Sequence, residues 1–202
     1  MQPVCRALAR VPALKELHFN SDVKLPAHAS IFQLTTVSHL HLCGVCDELL
    51  ELLPTTPLAR GVSYVLFDVA LSDRQLSALS ALPNLNKLKL RPVETVFMSS
   101  ALASPLLPRV RKLELQFWNG EIKVIANMRS LRALKLHGPV VDNALLVELD
   151  ALTQIRHLAL LEVRIFADTQ LDFSPLSRLR DISRLMITCQ WKCASWSCSA
   201  GR

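Results

Sequence analysis

Apolar residues recur along this chain in one spelling: apolar, two variable positions, apolar, one variable position, apolar. Eight copies are present: Leu14, Leu17, Phe19; Val37, Leu40, Leu42; Val62, Val65, Phe67; Leu85, Leu88, Leu90; Val110, Leu113, Leu115; Leu131, Leu134, Leu136; Ile155, Leu158, Leu160; and Ile182, Leu185, Ile187. The first anchors are separated by 23, 25, 23, 25, 21, 24 and 27 residues, a mean of 24. Fixed self-similarity in this range marks a repeat array. Side chains alternate between the faces of a strand, so the second and third anchors of each copy share one face and the residues flanking them share the other. Eight short strands with one apolar face each are the first expectation.

Between the copies the period changes. Cys46 to Leu53, Ser72 to Leu82 and Asp142 to Leu152 space their apolar residues three and four apart, as in Leu76, Leu79 and Leu82, which is helical spacing. Ser72 and Asp142 are suited to accept backbone N–H groups at a helix start, and Ser174 before Pro175 is expected to do the same. Pro12, Pro83 and Pro108 each stand two residues before a first anchor, where a residue that cannot continue a helix separates it from the next strand.

Strand, turn, helix and turn at about 24 residues, with Leu-x-x-Leu-x-Leu in eight conservative variants over residues 11 to 188, resembles the leucine-rich-repeat family. The resemblance implies a right-handed α/β solenoid of about eight repeats. A curved parallel sheet would form its concave face and helices its convex face. The family usually carries Asn or Cys three residues after the last anchor. Here those places hold Asp22, Val45, Ala70, Val93, Trp118, Pro139 and Val163, so irregular turns are expected. The helical stretches look most like the repeats of F-box substrate receptors, and Leu171 to Leu185 looks like those of protist leucine-rich-repeat regulators. Residues 1–188 are read as the repeat domain and 189–202 as a disordered tail.

Half of the residues are hydrophobic, mean hydropathy is slightly positive, and a solenoid can grow by adding repeats without enlarging one core. No apolar run approaches the roughly 18 residues of a membrane helix. Arg6 and Arg10 interrupt the apolar start, which spoils a secretory signal and makes an intracellular location, cytoplasmic or nuclear, the expectation. Only Gln2 to Arg10 precedes the first strand. The chain is therefore expected either to be a fragment or to leave a strand edge uncovered.

Stacking the variable strand positions side by side shows what the open face presents. The strands offer Glu16, His18, Asn20; His39, His41, Cys43; Tyr64, Leu66, Asp68; Lys87, Lys89, Arg91; Lys112, Glu114, Gln116; Ala133, Lys135, His137; His157, Ala159, Leu161; and Arg184, Met186, Thr188. Neighbouring strands lie about 4.8 Å apart, so equivalent positions form lateral rows. Lys87, Lys89, Arg91, Lys112 and Lys135 fall together, tempered by Glu114, in a chain of net charge +6. Like charges so placed repel, and an acidic partner relieves the repulsion. The expected partner-binding residues are Tyr64, Asp68, Lys87, Lys89, Arg91, Lys112, Lys135 and His137, and the expected partner is an acidic protein. A signalling regulator that senses an anionic ligand is the alternative. Nucleic acid is disfavoured because Tyr64 is the only aromatic residue in these rows and gives bases no stacking platform.

Chemistry has little to stand on. Five glycines form no phosphate loop, and there is no Gly-x-Ser-x-Gly or His-Glu-x-x-His motif. The chain is therefore read as non-enzymatic, with no cofactor. Cys43 and Cys46 have the spacing of a redox pair, yet the repeat register accounts for both as structural thiols. Cys189, Cys193 and Cys198, with Trp191 and Trp196 between them, are too unevenly spaced to argue zinc. His18, His39 and His41 lie near Cys43 and could hold a transition metal. No metal ligand is assigned from sequence.

Overall fold

The structure, a computed structural model, describes residues 11, 13–20, 30–43, 47–68, 72–91, 107–116, 122–165, 170–179 and 181–189. Pro12, Asp22, Val45, Cys46, Ala70, Val93, Trp118 and the tail from residue 190 lie outside them. The eight expected strands are β1 Glu16–Asn20, β2 His39–Cys43, β3 Tyr64–Phe67, β4 Lys87–Leu90, β5 Lys112–Gln116, β6 Ala133–His137, β7 His157–Val163 and β8 Arg184–Cys189. They form one sheet in sequence order, each pair parallel. β8 runs to Cys189, one residue past the expected end of the repeats.

The register is the one the anchors dictate. Leu40 lies opposite Val65, Leu88 opposite Leu113, and Leu134 opposite Leu158, so each second anchor meets its neighbours. A slip of one residue would turn every anchor to solvent, which is why the pairing is so strongly specified. The chain folds as an α/β solenoid of about eight strand-led repeats, the architecture that the leucine-rich-repeat resemblance implied.

Helices close the apolar side: α1 Asp47–Leu52, α2 Leu58–Gly61, α3 Asp73–Ser80, α4 Ile122–Ala126 and α5 Asn143–Leu149. Leu50, Leu76, Leu79, Ile125, Leu146 and Leu149 from these helices are buried in one cluster with the strand anchors. Burying a leucine contributes about 1.5–3 kcal/mol. Ser72 caps α3 with a capping box, its hydroxyl taking the Gln75 N–H while the Gln75 side chain accepts the Ser72 N–H. Asp142 caps α5 by accepting the Leu145 N–H at 2.8 Å. Ser174 does not cap. It lies inside a 3-10 turn, Ser174–Arg178, whose preceding residue is Phe173, and its N–H and hydroxyl both donate to Asp172. Pro175 suits the first turn as expected, but the carboxylate two residues earlier outcompetes the hydroxyl as acceptor.

Close packing between repeats sets two local constraints. A Cβ on Gly61 would stand 2.5 Å from the carbonyl oxygens of Thr35 and Val37, so only glycine lets α2 meet the preceding repeat. In β7 the pairing slips between Leu160 and Val163, and Glu162 there has a φ of 54°. The Glu162 N–H goes to Thr188 Oγ1. The slip ends at Val163, one of the positions where the resemblance would place a turn asparagine; here Val163 is buried within the strand, not in a turn.

Candidate functional site

The face opposite the core carries the predicted rows. The sheet register places His18 beside His41, Lys87 beside Lys112, Lys89 beside Glu114 and Glu114 beside Lys135. Each pair is separated by one full repeat in sequence and by one strand spacing in space. Asp68, just beyond β3, is tied to this ladder by its N–H to the Leu42 carbonyl, and Arg91 by its N–H to Phe67.

Two carboxylates organise the face. Glu114 Oε1 receives Lys89 Nζ at 2.6 Å, His137 Nε2 at 3.0 Å and Lys135 Nζ at 3.4 Å. The side chains of Lys89 and Glu114 are only 14% and 12% exposed, so this pair is shielded from water. Burial pushes the Glu114 carboxyl up, but the Lys89 hydrogen bond and charge, with Lys135 and His137, outweigh it and hold the group below the ordinary carboxylate range. Lys89 and Lys135 are therefore neutralised in part by one acid between them.

The second carboxylate is Asp68. Its Oδ2 lies 2.7 Å from His41 Nε2 and accepts the Cys43 thiol at 3.2 Å, and Cys43 Sγ is 3.3 Å from the same His41 nitrogen. Arg91 Nη1 stands 3.8 Å from the other oxygen, Oδ1, which is buried without a hydrogen bond. Burial again raises the Asp68 carboxyl, and the hydrogen bonds from Cys43 and His41 and the charges of His41 and Arg91 bring it below its ordinary value. Burial, followed by the Asp68 hydrogen bond and charge, raises the Cys43 thiol. On its other side His41 Nδ1 meets His18 Nδ1 at 3.0 Å, and His18 Nε2 meets Glu16 Oε1 at 3.0 Å.

The third predicted histidine leaves this group. His39 turns to the Ser38 hydroxyl and lies edge-on to Tyr64. Tyr64 in turn carries the Lys87 ammonium 4.3 Å over its ring. Of the eight predicted partner-binding residues, Lys89, Lys135 and His137 converge on Glu114, Arg91 approaches Asp68, Lys87 and Tyr64 pair, and Lys112 stands exposed.

A basic row one position earlier escaped the sequence reading. Arg111, Arg132 and Arg156 directly follow the first anchors of three successive repeats, and their backbones are linked in a ladder: Arg132 N–H donates to Arg111 and Arg156 N–H to Arg132. Arg111, Lys112, Arg132, Arg156 and Arg184 are all exposed. Among the described residues, none of them has a carboxylate within ion-pairing distance. A hollow of about 550 Å³ opens on this edge, lined in part by Asn86, Arg109, Arg111 and Lys112. The signal was available: it needed only the same stacking carried one residue back from the strands.

No family model matches the chain, and no curated protein matches it. Solved structures do. An internalin from Listeria monocytogenes is similar over 91% of this chain and 70% of its own, at 16% identity and a TM-score of 0.36. A leucine-rich-repeat protein from Leptospira interrogans is similar over 89% of this chain and 38% of its own, at 19% identity and a TM-score of 0.46. TLR13, solved in complex with ssRNA13, is similar over 94% of this chain and 34% of its own, at 16% identity and a TM-score of 0.46. The chain thus spans less than half the length of the last two. Among the described residues no helix is long and apolar enough to cross a membrane.

Proposed function

We propose that this chain is a non-enzymatic protein-interaction scaffold or substrate-recognition region that takes an acidic protein segment along the edge where its strands begin, beside the open face of the sheet. The observation that carries the reading is the run of exposed basic residues without a carboxylate partner among the described residues: Arg111, Lys112, Arg132, Arg156 and Arg184. Lys87, over Tyr64, extends it by one repeat. A parallel sheet in a solenoid presents such a row on a rigid, extended surface, the usual arrangement for repeat proteins that bind other proteins. Lys89 and Lys135 are held on the face by Glu114 and shape it, while the earlier row keeps its charge for a partner.

The test pairs two probes of matched charge, a glutamate-rich peptide and a single-stranded RNA, followed by fluorescence anisotropy. The peptide should bind and weaken with salt, because charges exposed at this surface are screened beyond about 8 Å at physiological ionic strength. Reversing Lys87, Arg111 and Lys112 to Glu should abolish capture with the melting temperature nearly unchanged, since surface substitutions of this kind usually cost within about 0.5 kcal/mol. Arg74→Ala, on α3 at the helical side, should leave binding intact. Tighter binding of the RNA than of the peptide, or undiminished peptide binding by the triple variant, overturns the proposal.

A further inference from the structure

We propose that His41, Cys43 and Asp68 form a binding site for one divalent metal ion of the zinc class, with an open coordination position on the sheet face. The inference goes beyond the docking surface above and stands on a separate group of side chains. His41 and Cys43 are two residues apart on β2 and so project from the same face. Asp68 comes from the next repeat. Their ligand atoms, Nε2, Sγ and Oδ2, are the corners of a triangle with sides of 2.7, 3.3 and 3.2 Å. The circle through those corners has a radius of about 1.8 Å, so an ion just above the triangle reaches all three at zinc bond lengths of about 2.0–2.3 Å. Small side-chain rotations then open the angles toward tetrahedral.

The donor set selects the ion. A thiolate and an imidazole beside a single carboxylate suit zinc and its first-row neighbours and reject magnesium and calcium, which prefer oxygen alone. On coordinating, Cys43 releases its proton to solvent. Three protein ligands leave the fourth position to water or to a group of a bound partner. His41 and Asp68, at 18% and 30% side-chain exposure, are sheltered yet reachable.

The surroundings fit the same reading. Metal-bound histidines almost always donate their other ring N–H to a neighbour that fixes the tautomer. Here His41 Nδ1 is 3.0 Å from His18 Nδ1, and His18 Nε2 is 3.0 Å from Glu16 Oε1. With His41 donating from Nδ1 and His18 donating from Nε2 to Glu16, every contact in the chain is served. The His41 Nε2 lone pair is then left facing Asp68 and Cys43, where a cation satisfies all three. Arg91, on the far oxygen of Asp68, holds the carboxylate from behind and leaves Oδ2 to the ion.

The test titrates the full, reduced, chelator-treated chain with Co(II) and then competes with Zn(II). One equivalent of cobalt should bring in visible ligand-field bands and a near-ultraviolet thiolate band, both removed by zinc. Cys43→Ser should lose the thiolate band, Asp68→Asn should weaken binding at least tenfold, and His18→Ala should weaken it by about 10–100-fold, the usual loss when a ligand's orienting partner is removed. His39→Ala and the double variant Cys193→Ser, Cys198→Ser should bind as the parent does. X-ray absorption of the zinc-loaded parent should find one sulfur and otherwise light donors, a readout that requires no variant to fold. No cobalt band at one equivalent, a thiolate band that survives Cys43→Ser, or two or more sulfurs around zinc would each overturn the proposal. None of these outcomes bears on capture of the acidic peptide, which is read separately.

Discussion

Glu114 and Asp68 stand on the same face of the same sheet, two strands apart, and each gathers side chains from neighbouring repeats, but the company differs. Glu114 is ringed by two ammonium groups and an imidazole on one oxygen, so its charge is spent inside the protein. Asp68 Oδ2 is met by an imidazole and a thiol, groups that carry lone pairs of their own, and the Arg91 guanidinium keeps to the other oxygen. At both places the scaffold brings side chains one repeat apart into contact, and the residue types decide the outcome. Cations around a carboxylate make a closed structural tie. Groups with lone pairs around a carboxylate make a set of ligands.

Both centres rest on the same layer of anchors, and the largest effect should come from removing that layer. Leu113, beneath Glu114, is fully enclosed between β4 and β6, whereas Leu185, the equivalent anchor of β8, is 45% exposed. Leu113→Ala should cost roughly 2–5 kcal/mol and Leu185→Ala well under half of that, because the cost scales with the cavity left behind. Urea denaturation measures both. Equal losses would mean that the repeats are not packed as the register states.

A smaller effect should separate the two carboxylates. Glu114→Gln leaves the Lys89 ammonium shielded without its counter-charge and should cost about 3 kcal/mol. Asp68→Asn, compared in chelator-treated protein, weakens the hydrogen bonds of a more exposed carboxylate and should cost about 1 kcal/mol. If Asp68→Asn is the more damaging change, the division between a structural tie and a ligand set fails.

Acid should reveal the same difference more gently. Both carboxyls are held below their ordinary range, so each contributes stability above that range and loses it as the pH falls through the lowered folded value. Thermal melts through this window should show the parent losing stability as it is acidified, with a shallower decline in Glu114→Gln, which lacks one of the two linked groups. An unchanged slope in that variant would show that Lys89 and Lys135 do not hold the acid as the distances imply.

Much of this architecture was written in the chain. The spacing of Leu88, Leu113 and Leu134 determined strand, register and core together, because in a repeat array each unit touches only its neighbours and a single slip exposes every anchor. The lateral rows followed from the same count, and so did the capping roles of Ser72 and Asp142, which depend on residues three positions away. The count could not decide how side chains in a row share their charges. That Lys89, Glu114 and Lys135 are adjacent was legible. That one carboxylate oxygen takes both ammonium groups depends on rotamers and burial across 25 and 21 residues of sequence. The histidine group shows the same limit. His18, His39 and His41 looked alike as letters, yet Tyr64 and Ser38 draw His39 away while Asp68, brought back over β2 by its own N–H, joins His41 and Cys43. Periodicity fixes which backbones are neighbours; only the folded surface, where short-range forces act between side-chain atoms a few ångströms apart, chose the partners.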